Sequence, residues 1–446
     1  MSIVKVNKIE KRSGSTLTLG GPGTAVTLAC GATQTGFGRT GTVDWCTTAK
    51  TSPLTGVSGK GYFINTSGGA VTVTLPSSPT AGDIVSIADY AGTAQTNRII
   101  IGRNGSKFEG TCSCGALNQK REAVTLVYVD GTQGWASVAD NTEEKLNIEY
   151  VTATGGTIST VGDYKIHLFN SSSNFVVSNA GNANGSNTVD YLVVAGGGSG
   201  SSQSTLNSNY LTGGGGAGGY RESSGAASGG YTRSPLGACV AALAVPAQTY
   251  PITVGAGATS GTVNGTPSVF STITSTGGGS GAAGATPGRP AAGIPGGSGG
   301  GGFYGSPNAA GTGNTPPVSP AQGKNGGNGV GSTPHGGGGG GGATVAGSNA
   351  NPGAGAGGAG ATSVITNSSV VRAGGGGGGS AANAGAGGPG GGGAGGVGQP
   401  ANGAVGGAGT ANTGGGAGGT SDYASTGQAA ASGGSGVVVI RYKFQN

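Results

Sequence analysis

The sequence predicts an all-β chain: β-rich stem modules in the N-terminal part, then a C-terminal glycine-rich domain of packed, extended polyproline-II-type helices bracketed by β-strands, with very little α-helix. Three observations predict it. Glycine makes up 107 of 446 residues, against roughly 7% in an average protein, and 81 of these glycines fall in 191–446. The part before residue 190 alternates small polar and apolar side chains with the period of two of a half-buried strand. Strong strand sequences flank the glycine-rich region, Tyr191-Leu192-Val193-Val194 ahead of it and Val437-Val438-Val439-Ile440-Arg441-Tyr442 behind it. Such a composition disfavours a helical enzyme, because each helical glycine costs about 1 kcal/mol relative to alanine.

Residues 1–52 read as an N-terminal β segment for attachment and oligomerisation. Ser15-Thr16-Leu17-Thr18-Leu19 and Ala25-Val26-Thr27-Leu28 are its short strands. So short a stretch holds too little apolar mass for a core of its own, so several intertwined copies or a docking partner are expected. Residues 53–140 read as a small sandwich or barrel-like module. Its strands are 61–66, 70–75, 83–87, 98–102, 123–129 and 134–138, punctuated by Ser67-Gly68-Gly69 and Pro76.

Here a resemblance enters. GYFINTSGGAVTVTLPSSPTAGDIVSIADYAG, IIIGRNGSKFEG and TLVYVDGTQGW, with the opening SIVKVNKIEKRSGSTLTL, resemble modules of bacteriophage tail-fibre and other virion proteins, those of marine phages most closely. The resemblance covers nearly all of 1–140. It implies a virion component, often homotrimeric, and names no catalytic residue.

Residues 141–195 read as a β linker module, with the charged run Thr142-Glu143-Glu144-Lys145 as a boundary and strands at 163–169, 174–178 and 188–194. His167 alternates with apolar neighbours and reads as a strand-face residue. From 191 to 446 glycine runs recur at 213–216, 277–279, 299–302, 336–342, 374–379 and 390–393. No strict Gly-X-Y period is present, which excludes collagen. A flexible coil is the alternative, but the flanking strands and the internal ones at 250–254 and 268–273 argue for order. Extended helices with three residues per turn rise about 3.1 Å per residue and make no internal hydrogen bonds. Their N–H and C=O groups must therefore pair with neighbours. Rods without side chains can approach closely enough to do so, with the spacers as loops at the lattice ends.

VDYLVVAGGGSG, GGGGAGGYR, YPITVGAGA, TPSVFSTITSTGGGSG and SGVVVIRYKF, over about 160–446, resemble the receptor-binding adhesins of T-even-type phages, which carry a sandwich of polyglycine-II helices with variable tip loops. Those adhesins are often separate proteins mounted on a fibre, whereas this glycine region is fused to a β-rich stem. The resemblance implies a phage adhesin that binds a host surface receptor, a glycan or an outer-membrane protein. The implied location is the tail fibre of a virion assembled in host cytoplasm, with other tail or baseplate proteins as partners of the N-terminal region. A purely structural virion component, such as a head fibre or decoration protein, is the alternative; a host-derived elastic or cell-wall glycine protein is disfavoured by the N-terminal module.

Because the lattice is chemically bland, specificity is expected in the loops 199–212, 220–235, 303–335 and 420–430. Their candidate receptor-binding residues are Tyr210, Tyr220, Arg221, Tyr231, Arg233, Phe303, Tyr304, His335 and Tyr423, since aromatic rings give contact area at small entropic cost. The net charge is +6, but the charges of the glycine half are sparse and read as solvated. They form no basic-aromatic stripe, so no nucleic-acid partner is expected. No run approaches the 18 apolar residues of a membrane span, and MSIVKVNKIEKR has no apolar core of a signal peptide. Two histidines and no patterned carboxylate pair leave no expected catalytic, metal or cofactor site. The cysteines Cys30, Cys46, Cys112, Cys114 and Cys239 read as free thiols.

Overall fold

The computed structural model describes residues 43–138, 148–201, 210–237, 242–259, 261–284, 292–305, 308–331, 335–398, 403–422 and 429–445. The strands expected before residue 43, the run 142–145, Cys30 and Cys239 lie outside them. The described residues form strands, turns and extended segments, with no α-helix among them.

Nine strands build the first unit. They are β1 (Asp44–Lys50), β2 (Leu54–Thr55), β3 (Lys60–Ile64), β4 (Val71–Thr74) and β5 (Ile84–Asp89). β6 (Ile99–Gly102), β7 (Gly115–Leu117), β8 (Ala123–Tyr128) and β9 (Trp135–Ser137) complete it. One sheet has the order β1-β3-β5-β8-β9 and the other β2-β4-β6-β7. From β1 to β6 the chain changes sheet at every strand, and each new strand lies parallel to the one two before it, as in Asp44 opposite Lys60 and Val71 opposite Ile99. The expected sandwich is therefore wound as a coil. Ile64, Val73, Ile87, Ile101, Leu126 and Trp135 fill the space between the sheets. The expected boundary at residue 52 is corrected: β1 pairs with β3 and Cys46 packs against this core, so 44–50 belongs to the unit.

The second unit joins strands far apart in sequence. β10 (Val151–Thr154), β11 (Thr157–Val161), β12 (Tyr164–Phe169), β13 (Ser173–Ala180) and β14 (Thr188–Val194) come first. After β15 (Tyr210–Leu211), β16 (Tyr220–Glu222) and β17 (Leu243–Ala244) come β18 (Thr249–Thr253), β19 (Ser268–Phe270) and β20 (Ile273–Ser275). β21 (Ala361–Ser363), β22 (Val370–Arg372), β23 (Ser421–Asp422) and β24 (Val437–Lys443) follow. One antiparallel sheet runs β10-β13-β18-β19-β20; the other runs β11-β12-β24-β14-β16. The strands expected as a separate linker module thus share a sandwich with strands of the glycine-rich half. The two flanking strand sequences pair with each other, Leu192 opposite Val439 and Val194 opposite Val437.

The sheet holding β24 is covered on both faces. Tyr191, Val193, Val438, Ile440 and Tyr442 face the other sheet with Phe175, Tyr250 and Phe270. Leu192, Val194, Val437 and Val439 face the glycine-rich part, where Ala217, Tyr220, Ala343 and Ala373 meet them. Burial on both faces is why these strands read as continuous apolar runs.

Beyond that sheet the chain runs back and forth in extended segments bonded through their backbones. Segment 336–342 shows the pattern. Gly337 and Gly340 donate to the carbonyls of Gly379 and Gly376, Gly338 and Gly341 to Gly302 and Gly299, and Gly339 and Gly342 to Ser348 and Val345. Its carbonyls accept from three further segments: Gly338 and Gly341 from Gly214 and Ala217, Gly337 and Gly340 from Gly355 and Gly358, and Gly339 and Gly342 from Gly327 and Lys324. Each partner recurs after three residues, the period of an extended helix with three residues per turn, and six neighbours surround the segment. Segments 212–219 and 374–379 are surrounded in the same way. At the closest approaches only glycine fits. A Cβ on Gly338 would stand 1.9 Å from the Gly327 carbonyl oxygen, and one on Gly214 2.2 Å from that of Gly376.

Candidate functional site

Alternation of segment direction sorts the loops to two ends. Segment 195–201 leaves the sandwich from β14, and 212–219 returns beside it, with Ala195 bonded to Gly219 and Gly198 to Gly216. Ser201 and β15 at Tyr210 therefore lie at the far end, and Tyr220 lies back at the sandwich.

At the far end β15 pairs with β23, Tyr210 opposite Asp422 and Leu211 opposite Ser421. The Tyr304 N–H donates to the Leu211 carbonyl at 3.3 Å, which seats the 303–305 turn beside β15. Phe303 and Tyr304 meet edge to face at 4.7 Å, and the Tyr304 ring meets His335 at 5.2 Å. Phe303 is buried, while Tyr304 and His335 are half-buried. The backbone of Tyr210 stands next to this group; Tyr423 lies outside the described residues.

The other four candidates lie at the sandwich end, and the structure does not bring them to the first group. Tyr220 is buried; burial and then the neighbouring Glu222 push its phenol well above the usual tyrosine range. Arg221 is half-buried and reaches the Thr274 carbonyl at 3.5 Å. Burial likewise raises the phenol of half-buried Tyr231, and Arg233 is exposed, donating to the Ser224 carbonyl. The expectation that 220–235 is a tip loop is corrected: the segment before it runs toward the sheet, so Tyr220 fills the gap between sheet and lattice.

Around Tyr220 the structure assembles charges that sequence reading placed in solvent. Glu222 is buried and accepts from Tyr220 Oη at 3.1 Å, Ser234 N–H at 2.9 Å and the Ser363 hydroxyl. Asp190, also buried, accepts from Ser223 Oγ at 2.7 Å and from the Ser228 N–H at 2.8 Å and hydroxyl. Arg441 donates to the Ile365 carbonyl at 3.3 Å and lies over the rings of Tyr164 and Tyr231 at 4.8 and 5.5 Å. Arg372 is buried beside them, its guanidinium pKa lowered by that burial. These bonds fasten 223–237 and the β21–β22 hairpin to the sheet. The alternation around Glu222 carried no hint of this, because Ser363 lies far along the chain.

A family model described as a glycine-rich domain matches residues 171–443. The chain belongs to the glycine-rich domain family. The match begins at the turn before β13 and ends with β24, so the domain comprises the lattice and much of the sandwich that closes it. No curated protein matches the chain. Among the described residues of the domain and the coil, no three His, Cys, Asp or Glu side chains gather where one metal ion could be held. Cys46, Cys112 and Cys114 are free thiols.

Proposed function

We propose that this chain is a bacteriophage virion fibre protein, an adhesin whose glycine-rich domain presents loops to a host surface receptor. We infer that the extended segments are polyglycine-II helices; the three-residue period of their bonds supports this. The observation that carries the binding role is the far-end group of Phe303, Tyr304 and His335 beside β15, held at the end of stiff segments away from the sandwich. A seven-residue segment such as 336–342 spans about 22 Å at that geometry. Half-exposed rings on a rigid support suit the stacking surface of a sugar or the apolar side chains of an outer-membrane protein. The role is binding without catalysis. The N-terminal coil mounts the domain on other virion proteins, and the assembled fibre is a homotrimer.

The test uses purified protein added to host cells ahead of virions. The parent blocks adsorption, and Tyr304→Ala/His335→Ala needs at least about tenfold more protein for the same block, a loss of about 1.4 kcal/mol. Equal potency of parent and variant, with unchanged melting, removes the far end from the binding reading. An antibody label on intact virions separates the alternatives: label along tail fibres agrees with the proposal, and label on the capsid wall favours a structural head component.

A further inference from the structure

Five tetrads at the lattice surface, Asn325-Gly326-Gly327-Asn328, Ala356-Gly357-Gly358-Ala359, Ala386-Gly387-Gly388-Pro389, Ala394-Gly395-Gly396-Val397 and Val405-Gly406-Gly407-Ala408, share one form, two glycines between two residues that carry a Cβ; the same form at 217–220 and 417–420 is buried. Their outer members are three apart, so on a three-residue period both point the same way. That way is outward: 325, 328, 386, 389, 394, 397, 405 and 408 are exposed, and 356 and 359 half-exposed. The bonds agree. Gly392 and Gly395 donate to Gly388 and Gly385, and Gly393 and Gly396 to Gly416 and Gly419, which leaves 394 and 397 for the third direction.

We propose that these tetrads are guard rods: their outward side chains keep the lattice from accepting a glycine segment of a second copy of this chain. The inference is independent of what the far end binds. A segment joining the lattice must approach as closely as Gly338 approaches Gly327, where a Cβ would stand 1.9 Å from the carbonyl oxygen. A side chain is no barrier in general, since buried Ala217 accepts from the Ser298 N–H at 3.0 Å. A methyl or isopropyl group at every third position of the outward face, however, stands where a newcomer's backbone would lie. The asparagine tetrad closes its side by a second means. Asn325 Oδ1 accepts from the Gly313 N–H at 2.9 Å and Asn328 Oδ1 from the Ala310 N–H at 3.0 Å, so amide side chains occupy donors that a further segment would need. Edge strands face the same hazard of unpaired backbone and are often protected by charge. Residues 373–421 carry no charged side chain, which leaves the Cβ atoms as the barrier there.

Sedimentation velocity over a concentration series tests this with three full-length variants. Ala394→Gly/Val397→Gly/Val405→Gly/Ala408→Gly removes the barrier on two adjacent rods. The same four positions changed to serine keep a Cβ with a small polar tip. Val405→Gly/Ala408→Gly alters one rod only and covers the case in which the fourfold glycine variant fails to fold. The glycine variants are expected to associate with rising concentration to at least twice the parent's mass, while the serine variant sediments like the parent. The proposal is overturned if the folded glycine variants sediment like the parent, or if the serine variant associates as they do.

Discussion

His167 sits on β12 with no exposed surface. Its Nδ1 lies 2.8 Å from the Gly155 carbonyl and its Nε2 3.1 Å from Tyr442 Oη, whose phenol burial pushes up to about 12. The ring packs at 5.1 Å from Phe175 and 5.5 Å from Tyr442. Nδ1 must donate to a carbonyl, so Nε2 of the neutral ring accepts from the phenol, which keeps its proton. Burial lowers the imidazole pKa, the Gly155 bond opposes that, and Lys165 adds to it. The sign follows. An unfolded histidine takes up a proton near about 6.5, while the folded one stays neutral to lower pH. The unfolded state therefore binds more protons in the window just below about 6.5, and stability falls as pH falls through it. Above that window the contribution is full and flat. The loss approaches about 1.4 kcal/mol per pH unit between the two pKa values. Denaturant midpoints of parent and His167→Gln across this window check it: the variant is less stable at neutral pH but loses this slope. An identical slope in both would place the proton uptake elsewhere.

At the scale of the element, segment 336–342 is held by its neighbours rather than by its own side chains. Gly338→Val puts a branched side chain where the Gly327 carbonyl lies 1.9 Å from the Cβ position. It also favours β geometry. The neighbouring segments must spread, loosening bonds such as Gly338 to Gly302 and Gly327 to Gly339, each worth about 0.5–1.5 kcal/mol net. With two to four bonds affected, the expected loss is about 1–6 kcal/mol, seen as a lower melting temperature and a protease-sensitive C-terminal half. Melting and proteolysis like the parent's would mean that this segment is not packed. How much was readable differs by element. The strands of β14 and β24 were legible because both faces are covered and their runs 191–194 and 437–440 are apolar throughout. The parallel winding of β1–β6 was not, because period-two alternation identifies a buried face but not the direction of the neighbour. Phe303, Tyr304 and His335 were legible as a group because they fall around one loop region. Tyr220, Arg221, Tyr231 and Arg233 were misplaced because which end a loop occupies depends on segment direction, which glycine content does not encode. Glu222 was read as solvated because its partners Ser234 and Ser363 come from a loop and a hairpin whose folding onto the sheet leaves no local pattern.

At the scale of the molecule, the coil is bonded to the glycine-rich domain by Arg98, which donates to the Asn184 carbonyl at 2.6 Å, and to the segment ahead of β10 by the Ile148 N–H, which donates to the Cys114 carbonyl at 3.0 Å. The outer face of the coil carries Trp45, Phe63 and Tyr90 in a row, with centroids 4.8 and 6.5 Å apart and Trp45 and Tyr90 exposed. A row of exposed rings suits a contact between copies, in keeping with the homotrimer proposed for the fibre. Sedimentation equilibrium checks this: three chains are expected for the parent and a smaller mass for Trp45→Asp, whereas a single-chain mass for the parent would contradict the trimer.

The central claim is that beyond the sandwich a lattice of backbone hydrogen bonds, in place of an oily core, makes the glycine-rich segments rigid. Amide hydrogen exchange of residues 337–342 tests it most directly. Each of these amides has a carbonyl partner on a neighbouring segment, so the account predicts exchange only through large-scale unfolding, as slow as for the core strand β24. Exchange at the rate of an unprotected peptide, with β24 still protected, would contradict it.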